Sequence, residues 1–360
     1  MPKPLPPRPQ RSTPPASPPP RPSDSGDLLP PKPYELIPFP KTRPTLEGPA
    51  GHDKYLSDRL HGTLFLTLTV KTAVHVSTGI VVMGSDIGNT RVPLIKTMVQ
   101  GNDQTLSIQG SSLKGCIRSV YEAITNSTLA VVTSRYRSQI PTERLPCRKK
   151  EELCPASRVF GALDWQGLVE FSDAKCQNTG FTTGFMPSLY RPRPDQRRAY
   201  FTQGKVAGRK FYYHTIRAID KGQNQGIPVQ EAAKEHTFKT ELHFKNLKDT
   251  ELGTLLIVLG QDPKYPIALK VGGGKPIGMG TMTVTIKAID RVQGKQSLKE
   301  RYASYTLPDS IHLTGDILQQ FMQQQINVAY TKKLIEQPQL DALLNVLRYP
   351  TDREPPSGMY

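Results

Sequence analysis

The sequence predicts an α+β fold whose elements run strand, helix, strand, strand, helix, strand, the ferredoxin-like βαββαβ order. Three observations predict it. Leu64, Leu66, Leu68 and Val70 alternate with Phe65, Thr67, Thr69 and Lys71, and far along the chain Met282, Val284, Ile286 and Ala288 alternate with Thr281, Thr283, Thr285 and Lys287. Both have the two-residue period of a strand with one buried face. Leu113, Ile117, Val120, Tyr121 and Ile124 fall on one helical stripe. Between these lie strand-like runs at 168–171 and at Phe238, Leu242 and Phe244, then a helix at 249–259.

In chain order, residues 1–50 read as a tail. They hold 18 of the 34 prolines, and such runs favour extended polyproline II. The tail is either a solvated linker or a tether docked on a neighbouring subunit, the latter best supported at Tyr34–Phe39, whose apolar residues are wasted in water. Residues 51–291 read as the folded domain. Its first strand is followed by a long polar connection, Ser77–Gln109. The helix at 110–124 has Ser111 or Ser112 as its N-cap. A second insertion spans about Cys176–Glu235. Loops that long are usually functional or interface-forming. Residues 292–360 read as a helical extension, with helices near 311–328 and 332–347.

The chain has 360 residues, with 47 Lys+Arg against 31 Asp+Glu, a formal net charge of +16. That excess favours a polyanionic partner. The longest apolar run, Leu255–Leu259, is far short of a membrane span, so no membrane partner is expected. The N-terminus has no apolar signal region and four cysteines are no disulfide framework, so a reducing cytoplasm is expected. Hydrolase signatures and the nucleotide P-loop spacing are missing, and no small-molecule substrate is expected.

Three segments carry binding chemistry. Gly110–Arg118 opens a helix, where free N–H groups attract an anion, and Lys114 and Arg118 add charge on one face; a capped helix with two solvated cations fits equally. Gly272, Gly273 and Gly274, flanked by Lys270 and Lys275, let backbone approach a ligand closely, or simply form a tight loop into the last strand. Between Pro187 and Arg217, eight basic residues, Arg198, Arg209 and Lys210 among them, face Asp195 alone, interleaved with Tyr and Phe. Cations for phosphates and rings for unstacked bases are what single-stranded nucleic acid needs. Cys147 and Cys154, with Cys116 and Cys176, are either a zinc set or unrelated buried thiols. Asp86 and Asp103 lie in the polar connection, and His75 ends the first strand.

Four motifs in order, Gln109–Gly115, Arg158-Val159-Phe160-Gly161, Phe171-Ser172-Asp173-Ala174 and Gly272–Gly280, resemble the RAMP superfamily of CRISPR proteins. Within it, the chain is similar to the backbone subunits of type III effector complexes. Gly51–Tyr55 and Gly208–Tyr212 resemble a single-RAMP branch found with such loci. The resemblance implies an RRM-like core that grips CRISPR RNA (crRNA) and positions target RNA beside other effector subunits. Ser111, Ser112, Lys114, Arg118 and the Gly272–Lys275 loop would contact the guide backbone, and the 176–235 insertion would be a thumb. The resemblance also implies an Asp that cuts guide-paired target RNA with Mg²⁺ or Mn²⁺, just before a Pro-hydrophobic-Ile-Lys run. Arg91 stands at that place here, and Asp86, five residues earlier, is the candidate. The alternatives are a purely positioning or assembly subunit, and a stand-alone RNA-processing endoribonuclease using His75. The family's Cys-Pro-x-Cys zinc pattern is incomplete, with Ser157 in place of the second Cys, which leaves Cys147 and Cys154 as zinc candidates.

Overall fold

Leu60–Val70 forms the centre of the main sheet. Thr281–Val292 pairs with it on one side and Thr237–Leu247 on the other, both antiparallel. Val169–Phe171 and Ala174–Cys176 pair with the far edge of Thr237–Leu247. The fourth, first, third and second core strands therefore lie side by side, and the ferredoxin-like order expected from the sequence is the order observed. The computed structural model describes residues 32–188, 200–219, 226–292, 294–303, 305 and 311–356. The predicted tail up to residue 31, and the stretch 189–199 containing Arg198, lie outside the described residues.

The helices are α1 (Gly110–Ile124), α2 (Pro155–Phe160), α3 (Asp249–Val258), α4 (Gly294–Ala303), α5 (Gly315–Thr331) and α6 (Gln337–Leu347). Leu64, Leu66, Leu68 and Val70 are all 3% exposed or less and share one core with Leu113 and Ile117 of α1 and Leu252 and Leu255 of α3. Burying each such side chain contributes about 2 kcal/mol. The helices thus cover one face of the sheet, and the alternating polar residues keep the other face half-exposed. The C-terminal helices join the same core. Gly253 of α3 lies against the Gln325 carbonyl of α5, and Glu336 N donates to Ile124 O at the end of α1 at 2.8 Å.

The two long insertions, far apart in sequence, build one second sheet. Thr182–Pro187, Gly226–Glu231, Leu94–Met98 and Ser77–Met83 lie in that order, joined across the insertions by a parallel pairing at Val229 and Lys96. The expected polar connection is therefore largely a β-hairpin. Met186 and Val229 of this sheet pack against Ile277 and Met279 of the glycine-rich loop.

Tyr34–Pro38, placed in the tail by the sequence, is a strand of the folded body. It pairs antiparallel with Gly208–Tyr212, from Tyr34 opposite Tyr212 to Pro38 opposite Gly208. Ile37 is 1% exposed. The apolar residues that pointed to a neighbouring subunit are buried within this chain.

Candidate nucleic-acid interface

The four motifs converge on α1. Gly110 starts the helix against the turn after Val169–Phe171, where a Cβ would stand 2.0 Å from Phe171 O. Its N–H donates to Asp173 Oδ1 at 2.8 Å. The cap is therefore Asp173, not Ser111 or Ser112; Gln109 holds the N-cap position without a side-chain bond. A carboxylate from this chain thus sits where a backbone phosphate was expected, and it meets the same positive helix end. Ser111 stays exposed and Ser112 half-exposed.

The cations of this helix turn inward. Lys114 Nζ donates to Val169 O at 2.8 Å, and burial, with Arg118 adding repulsion, pushes its ammonium below the ordinary lysine range. Arg118 Nε donates to Glu122 Oε1 at 2.8 Å, and its Nη1 donates to Gly161 O at 2.8 Å. Arg209, expected to bind RNA, is 7% exposed. Its Nε lies 3.7 Å from Glu122 Oε2, and its Nη2 donates to Ser127 O and Thr128 O. Burial pushes the Glu122 carboxyl up, and Arg209 and Arg118 oppose it. Arg118 and Arg209 are thus internal ties around one buried carboxylate rather than surface cations.

The glycine-rich loop packs beside the same helix, with Cys116 Sγ 3.4 Å from Lys270 O. Gly272 and Gly274 have φ of +77° and +66°, which a residue with a Cβ adopts only under strain. Gly273 N donates to His75 O at 2.9 Å, so Gly272–Gly274 lie over His75. Lys270 is 6% exposed and donates to Gly278 O at 3.0 Å and Thr281 Oγ1 at 3.2 Å. Burial, then repulsion from Lys275, brings its ammonium down to about 7. Lys270 is therefore turned into the protein, whereas Lys275 is half-exposed at the loop.

His75 is 1% exposed. Its Nδ1 donates to Gln230 O at 2.7 Å, and burial lowers its pKa. A general acid or base must touch its substrate, and in this structure the His75 ring is enclosed, with the glycine-rich loop held on its backbone carbonyl. Asp86 is exposed in the Gly84–Ile87 turn at the tip of the hairpin. Asp103 Oδ1 accepts from Thr105 N and Oγ1, a turn closed on itself.

Cys147 and Cys154 do come together, both buried. Thr128 Oγ1 lies 3.5 Å from the first sulfur and 3.3 Å from the second, and Ser157 Oγ is 3.3 Å from Cys154 Sγ. The Cys147 thiol donates to Cys154, which holds the Cys154 thiol well below the usual range and Cys147 well above it. Two sulfurs and two neutral hydroxyls do not fit the nitrogen and sulfur set that zinc takes. Among the described residues no group of three or more His, Cys, Asp or Glu is placed to hold a metal.

Where the structure does offer cations is the helix-free face of the sheet. A cleft of about 550 Å³ runs across it, lined among others by Phe65, Thr67, Lys175, Lys239 and Lys287. Sequence reasoning passed over these lysines. The signal was present, since they occupy the polar positions of alternating strands, which the helices leave uncovered. Lys210 belongs to a different surface. Its Nζ lies 4.0 Å above the Tyr34 ring and 4.7 Å above Tyr212, and Tyr34 stacks on Tyr200 at 5.8 Å. Lys210 thus stands among rings that come from two distant segments.

Among solved structures, a chain of the type III-B Cmr-beta complex bound to cognate target RNA is similar at 14% identity with a TM-score of 0.35, over 65% of this chain. The chain spans 61% of the length of that one. No curated protein matches. A family model, the RAMP superfamily, matches residues 67–283, from the first core strand to the start of the last. With α1, α3 and the glycine-rich loop inside that match, the chain belongs to the RAMP superfamily.

Proposed function

We propose that this protein is a crRNA-binding subunit of a type III CRISPR effector complex in the cytoplasm, holding guide and target RNA beside other effector subunits. The observation that carries the reading is the open sheet face, where Lys175, Lys239 and Lys287 outnumber Asp173 and Glu241 and stand with Thr67 on a surface the helices leave bare. Phosphates are met by lysines and hydroxyls there, and sequence-independent grip of this kind suits a subunit that accepts any guide. The second sheet, made of both insertions, is the thumb-like element. Its hairpin presents Ile80, Met83 and Leu94 at 53–60% exposure, side chains suited to a neighbouring subunit.

Asp86 is the candidate for target cleavage. Mg²⁺ and Mn²⁺ are commonly held by one or two carboxylates together with substrate phosphates, and an exposed Asp on a hairpin tip fits that mode. The buried state of His75 disfavours the stand-alone processing enzyme.

The test is binding of single-stranded RNA across a salt series. Charge reversal by Lys239→Glu with Lys287→Glu should weaken binding and lower the slope of log K against log salt by about 1–2. An unchanged slope with unchanged affinity removes the sheet face as the RNA surface.

A further inference from the structure

At the end of the sheet where Leu60–Val70 begins, the open face deepens into a pocket of about 240 Å³. Its floor is strand. Thr63 lies opposite His243, and His243 opposite Glu170, so three polar side chains form one row across three strands. The His243 ring is fixed, with Nδ1 2.9 Å from Thr63 Oγ1 and Nε2 3.4 Å from Glu241.

The wall is the segment 51–56, which has no regular structure of its own. Fully buried Asn246 donates through Nδ2 to Gly51 O at 3.0 Å and Lys54 O at 2.9 Å, and its Oδ1 accepts from Leu56 N at 3.0 Å. Lys245 Nζ donates to His52 O at 2.8 Å, and His61 Nε2 donates to Leu56 O at 3.0 Å. A short polar segment held from so many sides is rigid, and it brings the His52 and Tyr55 rings to the pocket. Tyr55 remains 44% exposed, with Lys245 Nζ 4.4 Å above its ring. Leu298 and Arg301 of α4 form the opposite rim.

Preorganised rings beside a lysine and an arginine suit an aromatic ligand attached to phosphate. The volume suits one base and excludes a duplex. Glu170 at the floor offers acceptors only, and guanine presents two adjacent N–H donors, N1–H and N2–H, on its pairing edge. We infer that this pocket captures a single unstacked base of the RNA lying along the sheet, with guanine as the matched base. The inference rests on the RNA-binding reading above and adds a discrete base site to it.

The full-length chain is titrated with a labelled single-stranded oligoadenylate carrying one central guanosine, inosine or abasic residue. The guanosine strand should bind roughly 5- to 100-fold more tightly than the abasic one. Tyr55→Ala should erase that difference and leave abasic binding unchanged, while Tyr55→Phe retains it. Glu170→Gln should remove the preference for guanosine over inosine, which lacks the N2 amino group. Equal binding of guanosine and abasic strands by the unaltered chain, or an equal loss for both in Tyr55→Ala, overturns the pocket alone. Failure of the unaltered chain to bind any strand overturns the RNA-binding reading itself. Melting temperatures of the variants establish that each is folded.

Discussion

Glu122, 4% exposed, accepts a hydrogen bond from Arg118 at 2.8 Å on the inner side of α1. Arg209, from the strand paired with Tyr34–Pro38, reaches the other oxygen of the same carboxylate at 3.7 Å. Two guanidinium groups offset the cost of burying one carboxylate, and the pair joins elements far apart in sequence. Removing one member leaves an uncompensated buried charge, which costs about 3–5 kcal/mol. Glu122→Gln should therefore lower the denaturant midpoint sharply with little change in shape. A midpoint within error of the unaltered protein would show that the carboxylate is dispensable. Arg118→Ala should act in the same direction, so any loss of RNA binding in that variant has to be separated from loss of fold.

Lys270 makes stability depend on pH. Its ordinary value is 10.5 and burial brings it to about 7 in the folded chain. Between these values the unfolded chain binds more protons, so stability rises with pH across that window. Below pH 7 both states are protonated and the cost of the buried charge is present in full. Between pH 7 and 9 the gain is roughly 2 kcal/mol. Lys270→Met should flatten this rise in urea titrations. If the variant keeps the full slope, another group is responsible.

Chain truncation separates two roles near the N-terminus. Deletion of residues 1–31 should leave the melting temperature of the folded body unchanged. Deletion of 1–40 removes the Tyr34–Pro38 strand, strips the partner from Gly208–Tyr212 and uncovers Phe211, which is now 8% exposed. It also removes Pro40 O, an acceptor for Arg144. A loss of several degrees or more is expected for the longer deletion only, read by calorimetry. Equal melting of both would mean that the strand adds nothing.

Asp86 is exposed, and its removal touches no packing. Asp86→Ala should abolish one cut in guide-paired target RNA in the assembled complex with Mg²⁺ or Mn²⁺, and leave assembly intact. Gel analysis of the products is decisive: survival of every cut would mean that Asp86 has no part in cleavage.

Much of this was open to inspection in the sequence, for one reason. Where burial is one-sided, it writes its period into the residues. Leu64 to Val70 and Met282 to Ala288 announced strands in this way, Leu113 to Ile124 announced α1, and their spacing gave the ferredoxin-like order. The same alternation held Lys239 and Lys287 at polar positions of their strands. The glycines of 272–280 signalled unusual backbone, and positive φ at Gly272 and Gly274 is the form it takes.

The direction of a charged side chain is a different matter. Lys114 and Arg209 look alike in sequence to cations that face solvent, because nothing local encodes a partner, whereas Arg118 has Glu122 four residues on along the same helix. The carbonyl of Val169 meets Lys114, and the carboxylate of Glu122 meets Arg209, only after distant segments pack. In the same way, the parallel contact of Val229 with Lys96 makes one sheet of two insertions that have no shared pattern. Local periodicity determined the core of this RAMP protein. Which of its many cations are left for a ligand was decided by tertiary packing, since a buried carboxylate or carbonyl captures a nearby cation whatever its neighbours in sequence.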